Sequence, residues 1–246
     1  YINNFLKYYI TYNYQKTLYS DNFAESLSRY LASFEGHGLP EEIKFNDIVE
    51  SSSFFQNLLL FSKTEELFIF ETCAAFFESK SNNYLIYPNT TLCYFYVVRD
   101  LKNLFIRYKK KLNTTEEAYN ELFNYTKKLH LSDSLKKQQF KIYENKTNYN
   151  TNVDSWSDPN VLSAYKGKLI SYKKLVNRTE EVLIDVIQHL KQYFPDIKVD
   201  YQVIQEYIKN NKLVSDKAQD ISRSEEKFLS RNINLKNYKI EDRIDY

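Results

Sequence analysis

The amino-acid sequence predicts an all-α protein, an elongated bundle of long antiparallel amphipathic helices, and three observations carry that prediction. The 246 residues hold only three glycines, Gly36, Gly38 and Gly167. Glycine is the usual residue wherever the backbone takes positive φ, so tight hairpins and phosphate-cradling loops have little to be built from. Four prolines interrupt the chain, and both residue types stand well below average usage. Between the interruptions, apolar residues recur at three- and four-residue steps, the period of one helix face.

The breaks fall at Gly36-His37-Gly38-Leu39-Pro40, Tyr87-Pro88-Asn89, Ser157-Asp158-Pro159-Asn160 and Phe194-Pro195-Asp196. Before the first, Ser20 or Asp21 is placed to cap a helix carrying Phe23, Leu27, Tyr30, Leu31 and Phe34, which Gly36 stops. From Ile43 to Phe77 apolar residues are dense enough to mark the centre of a core. The most apolar stretch, Asn57 to Phe77, carries Lys63, Glu65, Glu66 and Glu71, too many charges for a lipid-facing span, so it reads as a core helix. No other window approaches a transmembrane segment.

Thr91 to Lys111 follows with Tyr94, Val97, Val98, Leu101, Leu104, Phe105 and Tyr108 at helical spacing. A rival reading is a small β element near 84–98, because Tyr84 to Tyr87 and Leu92 to Val98 have strand-like aromatic and β-branched content around a Pro-Asn turn. The helix is preferred because the apolar stripe continues past Val98 without changing period. Thr114 or Thr115, with Glu116 and Glu117, opens the next helix in capping-box style, and Leu122, Tyr125 and Leu129 supply its buried stripe.

Asn145 to Trp156 reads as a polar low-complexity loop. It divides the chain into an aromatic-rich subdomain, 1–144, and a long-helix subdomain, 157–246, one continuous domain being the alternative. In the second part Asp158 is a good N-cap with Pro159 at the first helical position. Tyr165, Leu169, Tyr172, Val176, Leu183, Val186, Leu190 and Phe194 then form one stripe that Pro195 ends, and so long a stripe calls for an antiparallel helical partner. Asp200 begins a shorter helix through Val203, Ile204, Tyr207 and Ile208. Ser215 to Ile233 forms a last, more polar helix, and the tail from Asn234 is loose or docked by its few apolar residues.

Lys and Arg number 34 against 32 Asp and Glu, a net charge of +2, too small to indicate nucleic acid as a partner. The histidines, His37, His130 and His189, are spread across separate blocks, and neither cysteine has metal-ligand spacing beside it, so no metal site is expected. No nucleophile elbow, phosphate loop, dinucleotide fingerprint or calcium loop is present. The reading is therefore a non-enzyme without a cofactor. His37, between two glycines, is the one residue that an acid-base role would suit, against a plain turn residue.

The two cysteines, Cys73 and Cys93, flank the break at Pro88. If the segments on either side form a hairpin they are placed for a disulfide, closing a loop of about 21 residues and adding on the order of 3 kcal/mol. The other reading is two small buried hydrophobes. Asn-x-Ser/Thr triplets occur at Asn89, Asn113, Asn124, Asn145 and Asn177, supporting a secretory route, although an Asn-rich chain also writes such triplets by chance. The chain opens at Tyr1 without Met, as a processed protein or an excised fragment would.

With 23 Tyr, 17 Phe and one Trp, aromatic surfaces are what remains to carry function. Tyr8, Tyr9, Tyr12, Tyr14 and Tyr19 crowd the N-terminal segment, and Tyr149 and Trp156 stand in the polar stretch. Exposed Tyr and Trp anchor protein interfaces, which makes Trp156, Tyr149, Tyr8 and Tyr12 the candidate protein-binding residues. The alternative is that these rings cover neighbouring helices.

Stretches such as Tyr1-Ile-Asn-Asn-Phe-Leu-Lys-Tyr-Tyr-Ile and Asn145-Lys-Thr-Asn-Tyr-Asn-Thr-Asn are what an AT-rich genome writes. In this compositional style the chain resembles the helical secreted or invasion-related proteins of malaria parasites and their relatives. The resemblance carries no family motif and transfers no functional residue. It implies a secreted or surface-displayed protein whose partner is a host receptor or a subunit of a host-cell invasion complex. Two alternatives stand beside it: a helical carrier of a lipid or other apolar ligand, from the Phe-rich blocks Phe54 to Phe77 and Phe95 to Phe105, and an intracellular scaffold in the cytoplasm.

Overall fold

Helices dominate the residues that the computed structural model describes: 1–14, 19–22, 56, 68–71, 76, 86–87, 89–123, 149–213, 221–232, 240 and 244. Nine helices and four strands occur among them, the strands in two parallel pairs. The chain divides into two units, Tyr1–Thr91 with Thr126–Lys146, and Leu92–Tyr125 with Thr147–Tyr246. Residues 92–125, assigned by sequence to the first subdomain, thus belong with the C-terminal half.

In the first unit, α1 (Ile2–Tyr14) places Ile2, Phe5, Leu6, Tyr9 and Ile10 at helical spacing, and all five are buried. Strand β1 (Tyr19–Asn22) pairs in parallel with β2 (Phe68–Glu71), Tyr19 opposite Phe68. Both strands correct the expected helices: Ser20 and Asp21 lie within β1 rather than at a helix cap, and β2 interrupts the apolar stretch read as a core helix. Phe-Ile-Phe is as suited to a pleated surface as to a helix face, and a strand partner decides between them. Apart from the buried Phe76, which is not helical, the remainder of both expected helices lies outside the described residues. Nearby, the buried Gln56 accepts from the Tyr87 amide at 2.8 Å and from the Thr90 hydroxyl at 2.9 Å.

The second unit is organised by β3 (Tyr94–Val98) and β4 (Gly167–Ser171), which pair in parallel with Tyr94 opposite Gly167 and Val98 opposite Ser171. The expected helix from Thr91 is therefore replaced as far as Val98 by the rival β element, and the helical stripe begins only at α2 (Leu101–Leu112). Parallel strands need a crossover, and helices supply this one: α2, α3 (Thr115–Phe123), α4 (Tyr149–Ser157) and α5 (Pro159–Ala164). Asp100 caps α2 by accepting from the Asn103 amide at 3.0 Å, and Asn113, left-handed at φ 64°, closes it. Thr114 opens α3 as expected: its hydroxyl accepts from the Glu117 amide at 3.1 Å and donates to the Glu117 carboxylate at 2.7 Å.

The single helix expected from Asp158 to Phe194 is broken into four elements. Asp158 caps α5 with Pro159 at its start, accepting from the amides of Asn160 and Val161 at 2.8 and 3.3 Å. Lys166 then turns left-handed at φ 52°, β4 follows, and α6 (Tyr172–Asn177) and α7 (Thr179–Lys191) complete the stretch. Two physical causes produce the breaks. Gly167 is a poor interior helix residue, and the residues after it gain a full backbone ladder from the aromatic and β-branched β3. Ser171 then restarts the helix, its hydroxyl accepting from the Lys174 amide at 3.1 Å.

Two apolar groupings hold this unit. Val98, Leu101, Phe105, Ala118, Leu122, Tyr149, Val153, Leu229 and Ile240 form one buried cluster. It includes Leu229 of α9 (Arg223–Asn232), within the expected last helix, and Ile240, which docks part of the tail. On α7 the stripe Val182, Leu183, Val186, Ile187 and Leu190 is buried, as are Val203, Ile204 and Tyr207 of α8 (Tyr201–Asn210). Asp200 caps α8 as expected, accepting from Gln202 and Val203 amides at 3.0 and 3.2 Å.

Candidate protein-binding surface

Helix α1 separates its residues by face. Phe5 and Tyr9 are fully buried, with ring centroids 5.4 Å apart, while Asn4, Lys7, Thr11, Tyr12 and Asn13 are exposed. Tyr8 is half-buried, and one turn further on Tyr12 is 58% exposed. Their rings stack at 6.1 Å with 26° between planes. The i,i+4 spacing brings them together, and the buried face beneath fixes the direction in which they stand. The last turn is tied by Asn13, whose side-chain amide donates to the Tyr9 carbonyl at 3.1 Å. The result is an aromatic step flanked by Lys7, Thr11 and Asn13, polar groups that can hydrogen-bond around it.

Trp156 and Tyr149 correct the expectation of exposed anchors, being 4% and 8% exposed. From Tyr149 on, the stretch expected as a loop forms α4, with Tyr149, Val153 and Trp156 spaced by four and three residues on its buried face, while 145–148 lie outside the described residues. Trp156 stacks on Tyr96 at 6.1 Å and meets Tyr94 at 4.9 Å. The Tyr94 hydroxyl donates to the Trp156 carbonyl at 2.7 Å, and the Tyr96 hydroxyl to Asn152 Oδ1 at 2.7 Å. The Tyr149 hydroxyl donates to the Arg99 carbonyl at 3.3 Å, and the Arg99 guanidinium lies 4.3 Å over the Tyr172 ring. These rings join α4 to β3. The run of asparagines suggests a loop, whereas the four-and-three spacing of Tyr149, Val153 and Trp156 is the local sign of the helix.

A second cluster gathers beside β3. His189 Nε2 donates to the Lys166 carbonyl at 3.0 Å, and its ring meets Phe95 at 5.5 Å and Tyr193 at 5.3 Å. The Lys166 ammonium sits 5.0 Å over the Tyr193 ring. Burial pushes the His189 pKa down, against the pull of its bond to Lys166. Cys93 is half-buried with a free thiol, and burial pushes its pKa up to about 12 against the opposing charge of Lys166. Desolvation thus favours the neutral form of both groups, the opposite of what a thiolate-imidazolium pair needs. Cys73, the other half of the expected disulfide, lies outside the described residues, as do His37 and His130.

A groove of about 710 Å³ opens at the start of α7, lined by Arg178, Glu180, Glu181, Asp185, Gln188 and Ile208 among others. Its charges are already paired with protein groups. Glu181 lies 3.0 Å from Lys174 and 3.6 Å from Arg178, and Glu180 accepts from Gln205 at 3.2 Å. Among the described residues no group of three or more His, Cys, Asp or Glu side chains is placed to hold a metal ion. No helix among them is long and apolar enough to cross a membrane. No protein-family model, curated protein or solved structure matches the chain.

Proposed function

We propose that this chain is a non-catalytic protein that works by binding another protein through the outer face of α1, and that it does so outside the cell, on a parasite surface or in a host-cell invasion complex. The observation that carries the binding reading is the Tyr8–Tyr12 stack on a helix whose opposite face is fully buried. Tyrosine contributes large contact area for little conformational entropy, and a ring already held by its neighbour loses less on binding. Placement outside the cell draws its support from the compositional resemblance and from the acceptor triplets at Asn89, Asn113 and Asn177, whose asparagines are all exposed.

The test is to screen the purified full chain against panels of surface and secreted proteins. A saturable complex whose footprint covers α1 is expected. A chain that engages none of them, or whose footprint spares α1, contradicts the reading. For the apolar-carrier reading, Phe105 is fully buried in a packed cluster and seven of the nine residues lining the groove at α7 are polar or charged, while most of the block Phe54 to Phe77 lies outside the described residues.

A further inference from the structure

The three described acceptor triplets sit in different settings. Asn177 is the last residue of α6 and lines the groove at α7. Asn89 lies in a turn in which the Tyr87 carbonyl accepts from the Thr90 and Thr91 amides at 3.2 and 2.9 Å. Asn113 occupies the short connection between α2 and α3, left-handed at φ 64° and ψ −4°. Its backbone amide is committed to the Lys109 carbonyl at 2.9 Å, while its side chain is exposed. An exposed asparagine at the end of a helix leaves its carboxamide accessible to solvent, where a bulky group is accommodated outside the core.

From this geometry we infer that Asn113 is a modification site, the acceptor of an N-linked oligosaccharide. The donor class is a lipid pyrophosphate-linked sugar. The Asn113 Nδ2 forms a bond to the anomeric carbon, the bond from that carbon to the pyrophosphate oxygen breaks, the lipid pyrophosphate leaves, and the amide nitrogen gives up one proton to the transferring enzyme. The hydroxyl that completes the triplet belongs to Thr115. In the folded chain that hydroxyl donates to Glu225 at 3.2 Å, across 110 residues of sequence. Transfer therefore comes before α9 docks, while the C-terminal segment is still being made, and folding afterwards leaves the sugar on the surface. The inference rests on the chain travelling outside the cell.

Peptide mapping of the full chain isolated from its source organism, with and without removal of N-glycans, tests it. The expected result is a glycan at Asn113, lost in Asn113→Gln and in Thr115→Ala and kept in Thr115→Ser. The last pair separates loss of the acceptor triplet from any effect on folding. An unmodified Asn113 beside a modified Asn89 or Asn177 overturns the inference and leaves the extracellular reading standing. All three unmodified overturns both.

Discussion

Gly167 and Tyr94 are locked together by a missing atom. A Cβ at Gly167 would collide with the Tyr94 ring, and that ring cannot swing aside freely because its hydroxyl is bound to the Trp156 carbonyl and the ring meets the indole at 4.9 Å, tilted by 58°. Gly167→Ala is therefore expected to destabilise by about 1–3 kcal/mol, as overpacking does, measured by urea denaturation. Combined with Tyr94→Ala, it is expected to cost clearly less than the sum of the two single changes. Trp156→Ala is expected to cost about 3–5 kcal/mol, whereas Tyr12→Ala, on an exposed face, stays within about 0.5 kcal/mol of the parent. Cys93 gives a chemical readout. A thiol moved from the ordinary 9.0 to about 12 has its thiolate population at pH 8 cut by on the order of 10³. Alkylation followed on the Cys93 peptide should be slow in the folded protein and should accelerate sharply in denaturant; equal rates would contradict the burial that sets the shift.

At the scale of elements, Glu225 holds α9 against α2 and α3. It accepts from the Lys109 ammonium at 2.6 Å, from the Thr115 hydroxyl at 3.2 Å, and from the Ser222 amide and hydroxyl at 2.9 Å each. The hydrogen bond from Lys109, followed by the bond from the Ser222 amide, brings its pKa from 4.5 to about 2. A carboxylate held lower in the folded than in the unfolded chain stabilises fully above the unfolded value and loses that contribution as pH falls through the folded one. Glu225→Gln is thus expected to lower stability by about 1–2 kcal/mol at pH 7, and the gap to the parent should close between pH 4.5 and about 2. A gap independent of pH would assign the loss to packing alone.

Legibility in the sequence divides by range. Asp158, Thr114 and Asp200 were readable as caps because a cap is satisfied within three residues. Of the strands, Tyr94 to Val98 was legible only as the rival β element near 84–98 and Lys168 to Ile170 not at all, because both fit a helical stripe equally well and only their distant partnership makes them strands. The lone Gly167 inside an otherwise continuous stripe was the available local sign. Of the candidate site, Tyr8 and Tyr12 were readable from their four-residue spacing and the apolar set Phe5, Tyr9 and Ile10 beneath them. Trp156 misled because a tryptophan among asparagines suggests a loop until its spacing from Tyr149 and Val153 is considered.

At the scale of the whole molecule, scarce glycine and proline with abundant tyrosine give helices and short strands whose tyrosine rings pack while their hydroxyls reach polar atoms at their edges. The buried Tyr149 and the half-buried Tyr94 and Tyr96 each pack a ring while donating a hydroxyl proton to a neighbour, so the same residue type serves the interior and, at Tyr12, the surface. On the proposed binding reading, function depends on which rings the fold leaves at the surface, and among the four candidates these are the half-buried Tyr8 and the exposed Tyr12 on α1. The most direct measurement is the affinity of the full chain for a surface or secreted protein found to bind it, with Tyr12→Ala and Tyr12→Phe, folding being checked by circular dichroism and thermal melting. The account predicts that the alanine variant melts with the parent and binds at least about tenfold more weakly, while the phenylalanine variant, which keeps the stacked ring, retains most of the affinity. Undiminished binding by a folded Tyr12→Ala chain would contradict it.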